Sequence, residues 1–142
     1  MKKIAVLFLL IFSTACLYSQ YGGDSTTLTP DGKWADDALT LCLSNNSNST
    51  NASLNCLADA LESWQGLVNT NYSNLINKLA EPNRSNLKLA QASWLSYKNQ
   101  QFKFLDTYYG SLPGTMYKQM KLGAEVVILK SRSMELLNML DE

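Results

Sequence analysis

LNCLADALESWQGLVNTNYSNLINKL, residues 54–79, decides the fold. Its apolar residues fall at Leu54, Leu57, Leu61, Trp64, Val68, Leu75 and Leu79. Those steps keep one face of a 3.6-residue helix, so the spacing predicts a long amphipathic helix. Ser53 is suited to be its N-cap, and Glu81-Pro82-Asn83-Arg84 stops it. The same period recurs downstream. A third helix is expected from about Ser85 to Tyr109, with a stripe of Leu87, Ala90, Trp94, Tyr97, Leu105 and Tyr108. Gly110-Ser111-Leu112-Pro113-Gly114 is the next turn, with Gly110 as the helix stop. A fourth helix is expected from about Thr115 to Leu140. Its run Val126-Val127-Ile128-Leu129 predicts a middle covered on more than one side. These four residues could also form a buried strand, but the long flanking pattern is helical. Upstream, Trp34 to Leu43 reads as a short helix, and Ser44 to Ser53 (SNNSNSTNAS) as a polar loop.

Three long helices on short connections pack as antiparallel neighbours. The expected fold is therefore all-α: a small antiparallel bundle with a short extra helix at its N-terminal end. A length of 142 residues suits one domain, which we place at 34–142. No internal repeat is visible.

The first residues read as an address. Lys2 and Lys3 precede nine unbroken apolar residues, Ile4 to Phe12, and then small residues Ser13, Thr14 and Ala15. This is the pattern of a bacterial secretory signal, and the run is too short to span a membrane. We place the signal at 1–19, with cleavage after Ala15 or Ser19. A second reading makes Cys16 the lipidated first residue of a lipoprotein, although Ser13 sits where a lipobox has Leu. Residues 20–33, with Gly22, Gly23, Pro30 and Gly32 among Ser and Thr, read as a flexible leader.

An exported chain matures in an oxidising compartment. Of the three cysteines, Cys42 and Cys56 then form the natural disulfide pair, and Cys16 is lipidated or lost near the cut. The bond would clamp the ends of the polar loop and staple the short helix to the second. Two cysteines without histidine make a poor metal site.

The composition excludes several classes. The chain has no histidine, so Ser-His-Asp and Cys-His catalysis and His-ligated metals are out. Twelve basic residues balance twelve acidic ones, unlike a nucleic-acid binder. Loss of Lys2 and Lys3 with the signal leaves a mature net charge of −2. Hydrophobic residues make up 46%, enough for a packed core. No GxGxxG, GxxxxGK[ST], HExxH or GxSxG motif is present, no calcium loop is found, and nothing calls for a cofactor. Asp36 and Asp37 are adjacent, so they point about 100° apart on a helix and read as N-terminal dipole charges. Glu62, Glu125 and Glu135 read as solvated. The two NxS/T matches, at Asn48 and Asn51, read as composition.

Trp64, Tyr72, Trp94, Tyr97 and Phe102 lie in the long helices. Their plain reading is core, yet an exposed Trp or Tyr is also a common interface anchor. Asn71 and Gln91 lie beside the apolar stripes and need partners if buried.

Several pieces fall in one order: Cys42 and Cys56; Val68-Asn69-Thr70-Asn71-Tyr72; Ala90-Gln91-Ala92-Ser93-Trp94-Leu95-Ser96-Tyr97-Lys98; a glycine-containing turn; then Arg132. Their order resembles the LprI-like lysozyme-inhibitor N-terminal domain family, over roughly Cys42 to Leu140. In that resemblance Asn69 and Tyr72 stand for LNxxY, and Gln91, Trp94 and Tyr97 for AQxxWxxY. Lys98 replaces the usual Arg, and Arg132 stands for the late Arg. Cys42 and Cys56 match the first two cysteines. Phe102 occupies the place of a third cysteine, and a fourth, expected near Gly123 or Ala124, is missing with it. Leu129 replaces the late Thr.

The resemblance implies an exported, non-enzymatic envelope protein of the periplasm that binds a protein partner, lysozyme, and so protects peptidoglycan. Lysozymes are often cationic, and a net charge of −2 would attract one weakly. The alternative is an accessory or structural periplasmic protein with another envelope partner. Exposure of Trp94 and Tyr97 would favour binding, and their burial would favour a packing role. A cleft with several shifted ionisable groups would indicate an enzyme. No nucleic acid is expected as partner, and contact with a membrane only through a lipid on Cys16.

Overall fold

A computed structural model describes residues 29–141 as four helices: α1 (Lys33–Asn45), α2 (Thr50–Lys78), α3 (Asn83–Gly110) and α4 (Met116–Asn138). The secretory signal, Cys16 and residues 20–28 of the expected leader lie outside the described residues. No strand occurs among the described residues, and Val126 to Leu129 are helical. No described helix is long and apolar enough to cross a membrane.

The 3.6-residue period places α2 correctly, but its start differs from expectation. Ser49, in extended conformation, is the N-cap, and its Oγ accepts from the Ala52 N–H at 3.2 Å. Ser53 lies inside the helix and is buried. The polar run therefore contributes its last four residues to α2, leaving only residues 46–49 as linker. Cys42 and Cys56 are bonded across that linker, with Cα atoms 5.7 Å apart.

Consecutive helices run antiparallel, so α2 and α4 run parallel, and this pair builds the core. Asn71 meets Ser133, and Lys78 Nζ donates to the Leu140 carbonyl about two helical turns further on. Trp64, Val68 and Leu75 of α2 pack with Val126, Leu129 and Leu136 of α4, and Ala35 of α1 and Leu87 of α3 complete the cluster. Each large aliphatic side chain buried there contributes roughly 1.5–3 kcal/mol by leaving water.

α3 lies against α4 and only loosely against α2. Its buried residues are Leu87, Gln91 and Leu105, with Trp94, Lys98 and Phe102 half-buried. The inward stripe is thus 87, 91, 94, 98, 102 and 105, about one residue out of phase with the expected one. Ala90, Tyr97 and Tyr108 are exposed instead. The shift arises because polar Gln91 and Lys98 occupy inward positions that an apolar count leaves out.

Three further expectations are corrected. Gly110 is the last residue of α3 without positive φ, and Gly114 at φ 115° makes the turn that no Cβ residue adopts easily. Val127 is exposed, so the middle of α4 is covered on its inner side only. Glu125 is buried rather than solvated, because it shares the phase of Leu129, Arg132 and Leu136.

The end of the expected leader is fixed on the bundle. Pro30 O accepts from Asn71 Nδ2, and Thr29 O accepts from Trp34 Nε1, both at 3.2 Å. Gly32, at φ 68°, lies under Trp64. A Cβ there would stand 2.7 Å from Trp64 Cζ3 and 2.8 Å from Leu67 Cδ1. Both the backbone conformation and the space therefore require glycine at this point.

Candidate functional site

The inward polar residues of α3 form a chain across the bundle. The guanidinium of Arg132, on α4, donates to Gln91 Oε1 from Nε at 3.1 Å and from a terminal nitrogen at 2.9 Å. Both residues are buried. A buried cation needs this many partners, and Arg132 gains another in Glu135 at 2.8 Å. The guanidinium centre lies 5.7 Å from the Trp94 ring. Lys98 Nζ lies 5.8 Å from the same ring and 5.7 Å from that of Phe102, and donates to Gln65 Oε1 on α2 at 2.9 Å. Trp94 thus sits near two cations, a contact worth about 0.5–2 kcal/mol each by cation–π attraction. Gln65 Nε2 in turn donates to Asn69 Oδ1 at 3.3 Å.

Of the seven motif residues expected from sequence, five join this chain: Asn69, Gln91, Trp94, Lys98 and Arg132. Tyr72 is half-buried against the apolar core. Tyr97 leaves the cluster and is exposed. Sequence reasoning missed Gln65, because a lone glutamine between Trp64 and Gly66 carries no periodic signal. It also missed Ser133, whose Oγ and carbonyl accept from Asn71 Nδ2 at 3.0 and 3.2 Å.

The cluster supplies a fixed guanidinium, an ammonium, three amides and an indole. It locks the rotation of α3 relative to α2 and α4. What that rotation presents outward is an aromatic row. Tyr97, Phe104 and Tyr108, at i, i+7 and i+11, share one side of α3, and each is more than half exposed. Phe104 stacks on Tyr108 at 5.8 Å, Tyr108 meets Tyr109 edge-on at 5.1 Å, and Tyr109 stacks on Tyr117 of α4 at 6.5 Å.

A second polar group closes the far end of α3. Lys121 Nζ donates to Asp106 Oδ1 at 2.7 Å and lies 3.9 Å from Glu125. The pair borders a cavity of about 470 Å³ with Tyr109, Leu112 and Leu122 on its wall. Burial pushes the Glu125 carboxyl above the ordinary carboxylate range. Lys121 opposes that shift and Asp106 adds to it. A folded-state pKa raised above the unfolded one gives stability that is full below the unfolded value and is lost as pH rises through the folded value. Glu125→Gln is therefore expected to raise the denaturation midpoint at pH 7, with the gain vanishing below about pH 4. Urea titrations of both proteins at the two pH values check this, and an equal gain at both would contradict it.

Asp36 pairs with Lys130 and Asp37 with Lys33, so the two carboxylates serve separate ion pairs. Among the described residues no group of His, Cys, Asp and Glu could hold a metal ion. A further cavity of about 420 Å³ lies between α1 and α2 beside the disulfide, lined by Leu39, Leu41 and Ala60.

Comparison with known proteins adds two findings. The family model described as "Lysozyme inhibitor LprI" matches residues 42–136. The crystal structure of an uncharacterized protein from Burkholderia thailandensis is similar, with a TM-score of 0.67 and 25% identity. That similarity covers 72% of this chain and 51% of the other, so this chain spans about half the length of that protein. No curated protein matches.

Proposed function

Because the chain belongs to the LprI lysozyme-inhibitor family, we propose that it binds lysozyme through the exposed aromatic row of α3 and blocks it without chemistry of its own. The observation that carries this is the placement of Tyr97, Phe104 and Tyr108. Large aromatic side chains in water on a helix locked from behind are the residue types that dominate interface energies. A rigid helix also loses little conformational freedom on binding. The leader pattern supports a place in the cell envelope, either free after cleavage at Ala15 or Ser19, or tethered through Cys16. There it would protect peptidoglycan from an incoming lysozyme. The motif residues Gln91, Trp94, Lys98 and Arg132 then act as positioning residues, and Tyr97 as a contact residue.

The test is lysozyme activity on bacterial cell walls with and without the processed, disulfide-bonded protein. Dose-dependent loss of lysis is expected. Replacing Tyr97, Phe104 and Tyr108 by Ala together is expected to weaken inhibition at least about tenfold, equivalent to about 1.4 kcal/mol of binding, with circular dichroism and melting unchanged. Absence of inhibition against several lysozyme types, by a folded sample, would overturn the proposal. It would favour an accessory envelope protein with a different partner.

A further inference from the structure

The outward face of α4 carries a second apolar stripe, separate from the aromatic row. Met116 and Val127 are more than half exposed, and Met120 nearly so. Gly123, Ala124 and Met134 lie on the same face and are half-buried. The steps from 116 to 120, 123, 127 and 134 keep one side of a helix. This side is opposite the buried positions Glu125, Leu129, Arg132 and Leu136. The face holds no charge from Met116 to Val127; Lys130, which follows on the same face before Met134, is tied to Asp36.

Gly123 is the independent observation. Glycine in a helix interior is destabilising relative to alanine. Nothing among the described residues demands it here: an added Cβ would meet none of their atoms within 4 Å, and φ is not positive. Gly66 is equally unhindered, but its neighbours on that face of α2 are Glu62, Asn69, Thr70 and Ser73, a polar surface. A glycine at the centre of an apolar stripe instead allows another backbone to come close.

We propose that this face pairs with α4 of a second copy of the chain, antiparallel and about a two-fold axis near Gly123–Val127. In that pairing Val127 of each copy fills the gap over Gly123 of the other. Met116 of each meets Met134 of the other, and Met120 of each lies over the methylene stem of the other's Lys130, whose ammonium stays on Asp36. A two-fold contact needs a patch complementary to itself, and large ends with a small centre provide one. A cationic partner such as lysozyme is a poor occupant, since the stripe offers no carboxylate. α4 is 23 residues long, about 34 Å, and one helix pair is smaller than the roughly 800 Å² per partner of a stable complex. The dimer is therefore weak and depends on concentration.

Sedimentation equilibrium of the full chain after its own processing, from about 10 µM to 1 mM, tests this. The expected result is a mass rising toward twice the monomer. Gly123→Arg and Val127→Arg are expected to hold the monomer mass throughout, with melting temperatures no lower than the parent's, since both side chains enter open space. Lysozyme inhibition by these variants is expected to persist, which separates this surface from the aromatic row. A monomer at 1 mM would overturn the proposal and leave the stripe to another occupant, such as the chain's own first 28 residues. A dimer that survives both substitutions, or is broken by Tyr97→Ala, would overturn it as well.

Discussion

Trp64→Ala is expected to cost about 3–5 kcal/mol, the range for removing a large aromatic side chain from a core. Trp64 is completely buried, the largest side chain in the bundle to be so. Three elements converge on it: Gly32 before α1 lies under the ring, Lys130 of α4 stands 5.3 Å from its centre, and α2 carries it. The backbone cannot close the resulting void, because the Gly32 turn and the α2–α4 pairing hold it on both sides. Typical domains have only about 5–15 kcal/mol in total. Urea denaturation followed by circular dichroism should show a midpoint shifted far down or a sample unfolded at the start. A loss below about 1 kcal/mol would mean that the core does not centre on this residue.

Loss of the disulfide comes next. Replacing Cys42 and Cys56 together by Ala is expected to cost about 3 kcal/mol in the chain-entropy account of a loop of this length. The expected damage is local as well as global. α1 touches α2 at Gly32 and Ala35 at one end and at the cysteines at the other. Without the bond the cysteine end should fray, while Trp64 and Asn71 still hold the first turn. Hydrogen exchange should show amides of residues 40–49 losing protection before those of α2. Uniform loss across the chain would contradict this.

The legible and the hidden parts of the fold separate for physical reasons. α2 was readable because Trp64, Val68 and Leu75 of its inner face and the half-buried Leu54, Leu57 and Leu61 beside it keep one helical period, although polar Ser53 and Asn71 are buried with them. α3 was readable as a helix but not in phase. Its inner face carries Gln91 and Lys98, so Ala90, Tyr97 and Tyr108 completed a false stripe beside the true one. Ser49 and Ser53 both satisfy the composition of an N-cap, and only the backbone conformation selects between them. Glu125 was misplaced because its charge outweighed its position, which shares the phase of buried Leu129, Arg132 and Leu136. The candidate site shows the same division. The motif residues could be named from the order of the resemblance. The Gln91–Arg132 pairing spans 41 positions and the Asn71–Ser133 pairing 62, and such partners follow from tertiary register alone.

The parallel pairing of α2 with α4 has a consequence for how the chain comes into being. Synthesis proceeds from the amino end, yet the apolar side of α2 must wait through all of α3 for its main partner. Leu129, Ser133 and Leu136 follow all of α3, so a nascent polypeptide lacks its core until most of α4 has been made. Long-range closure of this kind also slows folding relative to bundles of sequential neighbours. Until α4 has been made, the growing chain therefore has no core to close on and stays unfolded and threadable.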